Sequence, residues 1–174
     1  LMEATRALQK SESRFRAMVG NLPGVVYRCR NDGRRRMSYL SEGIERLTGY
    51  PASDFVGDRV RSYGSLIHLD DQAQAEQSPA QDSFERIYRI SNAEGRTVYV
   101  REKARVLRER DDPVGWCDGF IWDVTDQALA KQEMEERERY LSMLIDNVID
   151  AIIIIDGRGI IETFKDPDAA LEAV

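Results

Sequence analysis

The chain has 174 residues, 42% hydrophobic and 32% charged, with a formal net charge of -6, two cysteines and one histidine. That is apolar material for one good core with little left for a second, and the acidic balance argues against a nucleic-acid partner, which calls for a basic footprint. The longest purely apolar run, Ala151 to Ile155, is far too short to span a bilayer and no charged-then-apolar leader opens the chain, so the expectation is a soluble cytoplasmic protein without membrane insertion.

In chain order, Leu1, Ala4, Leu8, Ser11, Phe15, Met18 and Leu22 fall on alternating steps of three and four, the seam of an amphipathic helix that wants a partner. Pro23 and Gly24 end it. Val25 to Arg30 reads as a strand, closed by a turn at Asn31-Asp32-Gly33, and Arg34 to Ser41 returns as a second strand. Beside that turn, Gly33 to Arg36 (Gly-Arg-Arg-Arg) is expected to be a solvated hairpin. Glu42 to Leu47 is a short helix with Ile44 and Leu47 inward, stopped by Gly49 and Pro51, and another turn or two of helix follows near Ser53 to Val56.

From Phe84 onward the period changes to two. Phe84 to Ser91, Thr97 to Leu107 and Val114 to Val124 are three strands joined by turns at Asn92 to Gly95 and Asp111 to Gly115, the pattern of an antiparallel meander. On the last strand Cys117, Gly119 and Ile121 alternate with Trp116, Phe120 and Trp122, so both sheet faces hold large or apolar groups and both need a cover. Thr125 is placed to cap a charged helix reaching about Asn147, with Ala130, Met134, Leu141, Leu144 and Val148 at heptad spacing. Ala151 to Ile155 follows as another strand, with an Asp156-Gly157 turn.

The opening repeats. A shift of 126, Asn147 minus Asn21, carries Glu12 to Glu138, Phe15 to Leu141, Met18 to Leu144, Val19 to Ile145, Leu22 to Val148 and Val26 to Ile152. The chain reads as one complete unit plus the beginning of a second.

Enzyme motifs are absent: there is no phosphate loop, no His-Glu-x-x-His, and Gly157 to Glu162 is a hairpin turn with no helix signalled after it. One histidine and two separated cysteines make no zinc site, and two cysteines fit no secreted disulfide framework. Tyr27, Cys29, Tyr88, Val100, Cys117 and Ile121 share an inward parity; they either line a ligand cavity or fill a solid core.

Ser41-Glu42 through Ile44 to Tyr50 (IERLTGY), Leu66 to Asp71 (LIHLDD), Tyr88 to Ile90 (YRI) before the Glu94-Gly95 turn, and the closing Gly119 to Asp126 (GFIWDVTD) together resemble a PAS domain of bacterial signalling proteins. The resemblance covers residues 11 to 126, and residues 127 to 164 look like the linker and first hairpin of a second such domain. The fold it implies is α+β, a five-stranded antiparallel sheet with short helices on one face, flanked by N-terminal and C-terminal signalling helices. The implied division is 1-22 for the N-terminal helix, 23-126 for the PAS domain, 127-148 for the linker helix and 149-174 for a truncated second PAS domain or tail. Two departures stand out: Leu69 replaces a frequent proline, and the stretch from Asp71 to Phe84, the usual place of a full helix, is short and holds Ser78-Pro79.

What the resemblance implies for function is a non-catalytic sensory module that couples ligand or partner state to its flanking helices and to a downstream output domain of histidine kinase or diguanylate cyclase type. Asp123 and Thr125 are the expected signal-coupling residues, and the expected partner is a second copy, through the helices. The alternatives are a ligand-free PAS dimerisation module and a haem- or flavin-bearing sensor. No cofactor is expected: His68, the sole imidazole, fits a structural turn before Asp70-Asp71, and Cys29, in an Arg-Cys-Arg context, lies on the wrong element for a photoactive flavin cysteine. In the implied fold the first and last strands pair in mid-sheet, bringing Cys29 near Cys117 as buried, reduced thiols.

Overall fold

A computed structural model describes residues 2–76, 82–146, 152–155, 157–158 and 161–165. The chain divides into two compact units, Leu1–Thr125 and Asp126–Val174.

The first unit opens with helix α1 (Met2–Gly20) and continues through strand β1 (Val25–Arg30), strand β2 (Met37–Leu40), helices α2 (Gly43–Thr48) and α3 (Ala52–Phe55), a 3-10 turn (Tyr63–Leu66), helix α4 (Leu69–Glu76), and strands β3 (Ser83–Ser91), β4 (Thr97–Glu109) and β5 (Asp112–Asp123). The five strands form one sheet in the order β2-β1-β5-β4-β3, and every neighbour is antiparallel. First and last strands therefore meet in mid-sheet, as the resemblance implies. β2 is shorter than the Arg34 to Ser41 expected, and its register with β1 shifts between Arg28 and Cys29.

Alternation sets the faces. Val25, Tyr27 and Cys29 of β1, Tyr88 and Ile90 of β3, Val98, Val100, Ala104 and Val106 of β4, and Cys117 and Ile121 of β5 are buried. They join Ile44, Phe55, Tyr63, Leu66, Ile67 and Ala75 from the segments between β2 and β3 in one core. Complete burial of a side chain such as Phe55 or Ile44 contributes about 1.5–3 kcal/mol. α2 stops where Gly49 takes the left-handed conformation (φ 78°) and its N–H donates to the Glu45 carbonyl, a conformation that costs glycine nothing.

The opposite face is covered in part by side chains of the sheet itself. α1 is anchored near its end, with Val19 buried and Phe15 6.1 Å from the Tyr39 ring, while Leu8, Phe15, Met18 and Leu22 remain exposed. Instead, the arginines of β1 lie over Trp116, Arg30 at 4.8 Å and Arg28 at 5.8 Å from its ring, and Phe120 stacks on Trp122 at 5.3 Å. Long cationic stems supply part of the cover that this apolar face needs.

The second unit holds helix α5 (Thr125–Asp146), which begins at the last residue of the first unit, and an antiparallel hairpin of strands β6 (Ile152–Ile155) and β7 (Ile161–Lys165). Met134, Leu141 and Leu144 of its seam are exposed. Val148, and Ser78-Pro79 of the short stretch before β3, lie outside the described residues. Among the described residues no helix is long and apolar enough to cross a membrane.

Candidate functional site

The helix-covered side of the sheet holds a buried charge. Glu102 has inward parity on β4, between Val100 and Ala104, and is fully buried. Its carboxylate accepts from Arg35 twice, Nη1 to Oε2 at 3.1 Å and Nη2 to Oε1 at 2.5 Å. Arg86 Nε donates to Oε2 at 2.8 Å, and the Tyr27 hydroxyl donates to Oε1. Burial alone would raise the Glu102 carboxyl, but Arg35 and Arg86, with the Tyr27 hydroxyl, outweigh it and hold it below its ordinary value.

Arg35 corrects the sequence reading of Gly33 to Arg36. It leaves the segment between β1 and β2 with a left-handed backbone (φ 52°), a conformation costing a non-glycine residue roughly 1–2 kcal/mol, and its side chain turns inward until only 7% is exposed. There the guanidinium faces three rings, with centroids 5.2 Å away for Tyr63, 5.7 Å for Tyr27 and 5.8 Å for Tyr88. The Tyr63 and Tyr88 hydroxyls bond each other at 3.1 Å. Burial pushes Tyr63 up to about 12 and Tyr27 and Tyr88 well above the ordinary tyrosine value, so all three phenols keep their protons at neutral pH.

Gly119 makes room for this arrangement. A Cβ there would lie 2.4 Å from the Tyr27 ring, so the bare backbone of β5 is what lets the phenol lie across the sheet and reach Glu102.

All six residues singled out by parity are buried in this core: Tyr27, Cys29, Tyr88, Val100, Cys117 and Ile121. Tyr27 and Tyr88 touch the Arg35 guanidinium, and Cys117 Sγ lies 3.6 Å from the Tyr27 hydroxyl. Cys29 and Cys117 stand directly opposite each other across β1 and β5, both free thiols. The hydrogen bond between them raises Cys29 and lowers Cys117, and burial raises both. The parity argument missed Glu102 and Arg86, although each sits two residues from a named position on the same strand. Tyr63 and Arg35 carried no periodic signal.

The joint at the end of β5 is also built. Asp123 Oδ1 accepts from the Thr125 N–H at 2.8 Å and from the Thr125 hydroxyl at 2.6 Å. The Thr125 hydroxyl accepts from the Tyr99 N–H at 3.0 Å, and Val124 N–H donates to the Tyr99 carbonyl at 2.8 Å. The roles differ from those expected: Asp123 satisfies the first amide of α5, while Thr125, expected as the cap, ties the helix start to β4.

His68 stands at the turn before α4, where its N–H donates to the Arg89 carbonyl and its Nδ1 lies 3.4 Å from the Asp70 N–H. Among the described residues no group of three or more His, Cys, Asp or Glu is placed to hold a metal ion.

Comparison with known proteins agrees with this architecture. Residues 37–121, from β2 into β5, match the family described as PAS fold. The two-component sensor PprA of Pseudomonas aeruginosa is 24% identical over 144 residues, which cover 80% of this chain and 15% of PprA. The sensor protein FixL of Bradyrhizobium diazoefficiens is 24% identical over 82 residues, 47% of this chain and 16% of FixL. The chain thus spans about one sixth of the length of these curated relatives. A sensory box histidine kinase/response regulator from Burkholderia thailandensis superposes with a TM-score of 0.59 at 19% identity, covering 75% of this chain and 98% of that one. With the family match lying on four of the five strands and on all the helices between them, residues 37–121 belong to a PAS domain.

Proposed function

We propose that this chain is a non-catalytic sensory and signal-transduction module, in which the interior of the sheet responds to a ligand or partner and β5 passes the response into α5. The observation that carries this reading is the continuity of β5, which places Cys117 and Ile121 in the interior and ends in the Asp123-Thr125 joint. The responsive region is Tyr27, Cys29, Tyr88, Val100, Cys117 and Ile121, together with Arg35, Glu102 and Tyr63. The proposed division is 1-22, 23-126, 127-148 and 149-174, with the β6–β7 hairpin as the start of a second PAS domain and an output domain of histidine kinase or diguanylate cyclase type further along the parent protein.

In a parent protein carrying that output domain, Thr125→Ala or Asp123→Ala shifts basal or stimulated output while the PAS domain still folds. Both substitutions leaving output at wild-type levels would make the joint structural only.

The proposed partner is a second copy, held through the exposed seams of α1 and α5. Removing residues 1–20 then weakens the dimer in light scattering; a truncated chain with unchanged dimer affinity removes α1 from the interface.

A further inference from the structure

Arg35 has partners of the kind that recognise a free organic cation. Three tyrosine rings face its guanidinium at 5.2–5.8 Å and the Glu102 carboxylate meets it with both oxygens. Aromatic faces around a carboxylate select a cation, and a planar guanidinium is the cation whose fork matches two carboxylate oxygens.

The cage and its occupant are separate parts of the chain. Tyr27 comes from β1, Tyr63 from the 3-10 turn, Tyr88 from β3 and Glu102 from β4. Arg35 belongs to none of them; it enters from between β1 and β2 on a left-handed backbone, and outside the cage, among the described residues, it donates to the Ala75 carbonyl at 3.2 Å. If that segment swings out, Glu102 is not left bare. Arg86, 11% exposed, still holds Oε2 from the other side and Tyr27 still donates to Oε1. What remains is an Arg86–Glu102 pair with one acceptor place open on each carboxylate oxygen, beside three ring faces.

The geometry points to a binding site for guanidinium- or alkylammonium-class cations whose resident occupant is the chain's own Arg35, and which a soluble cation of that class takes when the Arg35 segment swings out. This rests on the sensory reading above and names the ligand class of that interior. A tethered occupant competes at an effective concentration of roughly millimolar order, so a free cation binds the wild-type chain weakly and a chain lacking Arg35 more tightly.

The probe is ethylguanidinium, which copies the end of an arginine side chain. It is titrated into wild-type, Arg35→Gly and Arg35→Gly/Glu102→Gln chains at constant ionic strength, with sodium chloride and sodium acetate as matched salts, following the thermal midpoint and the heat of binding. Glycine suits the left-handed backbone. The expected result is a lowered midpoint in Arg35→Gly that ethylguanidinium restores, an affinity at least roughly tenfold above wild type, and no gain in the double variant. If Arg35→Gly is unfolded without the probe, recovery of its near-ultraviolet dichroism on addition is the readout, and Arg35→Asn, which also tolerates that backbone, is tested alongside. No response beyond sodium chloride in either variant, an equal response in the double variant, or a larger response to acetate overturns the proposal. Failure here leaves the Asp123-Thr125 test untouched, and a cage that binds cations without altering output removes the sensory reading alone.

Discussion

The two faces of one sheet carry the same kind of ion pair in opposite settings. On the open face Arg28 and Asp118 meet through two bonds of 2.6 Å, with their side chains 48% and 37% exposed. On the covered face Arg35 and Glu102 meet through two bonds of 3.1 and 2.5 Å, with side chains 7% and 0% exposed. The bond geometry is similar, yet water screens the first pair and not the second. The open pair decorates a surface; the covered pair decides whether two charges can stay inside.

The sharpest way to break the contrast is to remove one buried partner. Glu102→Leu leaves Arg35 with no carboxylate and is expected to cost about 3–5 kcal/mol, read as a shift in the urea midpoint. Adding Arg35→Met to the same chain should recover part of that loss, because the more deeply buried guanidinium is removed with its carboxylate, while Arg86, 11% exposed, still lacks its partner. A double variant no more stable than Glu102→Leu alone would contradict this account.

A smaller break is Tyr27→Phe, which keeps the ring over Gly119 and removes the hydroxyl donated to Glu102. Hydrogen bonds to charged groups contribute about 1.5–3 kcal/mol, so the expected loss lies there, measured by equilibrium unfolding. Cost near zero would mean that Arg35 and Arg86 alone hold the carboxylate.

Acid sharpens the contrast without mutation. Glu102 is depressed in the folded chain below its ordinary value of 4.5, so the stability it contributes is fully present above about pH 4.5 and is lost as the pH falls through the lower folded value. Wild type should lose stability more steeply below that point than Glu102→Gln. Parallel pH profiles would show that Glu102 is not the group responsible. The smallest effect is expected on the open face, where Asp118→Asn should cost about 0–1 kcal/mol and less at high salt.

The same contrast explains what could be read from the chain alone. Strand period and turn chemistry placed all five strands of the first unit, and parity placed Tyr27, Cys29, Tyr88, Val100, Cys117 and Ile121 inside, because a two-residue repeat depends only on local sequence. Parity also puts Glu102 and Arg86 on that face; the reading passed over them because charged residues are seldom buried unless paired, and their pairing partner was out of view. Arg35 was hidden for a deeper reason. Its inward turn depends on a left-handed backbone at one non-glycine residue and on a carboxylate 67 positions away, and neither leaves a periodic trace. At the end of β5 the Asp-x-Thr spacing located the joint, but which side chain caps and which ties back depended on where Tyr99 lay.

Gly119 fixes the register of β5 against β1. The Tyr27 ring fills the space above it, opposite it across β1 and β5, so a slide of β5 by one residue, roughly 3.3 Å, would drive the Asp118 or Phe120 side chain into that ring. It would also turn every inward residue of β5 outward. Translation along the strand is therefore blocked at mid-sheet. The movements left to β5 are twist and bend about a fixed register, and any coupling of the proposed kind has only these to use.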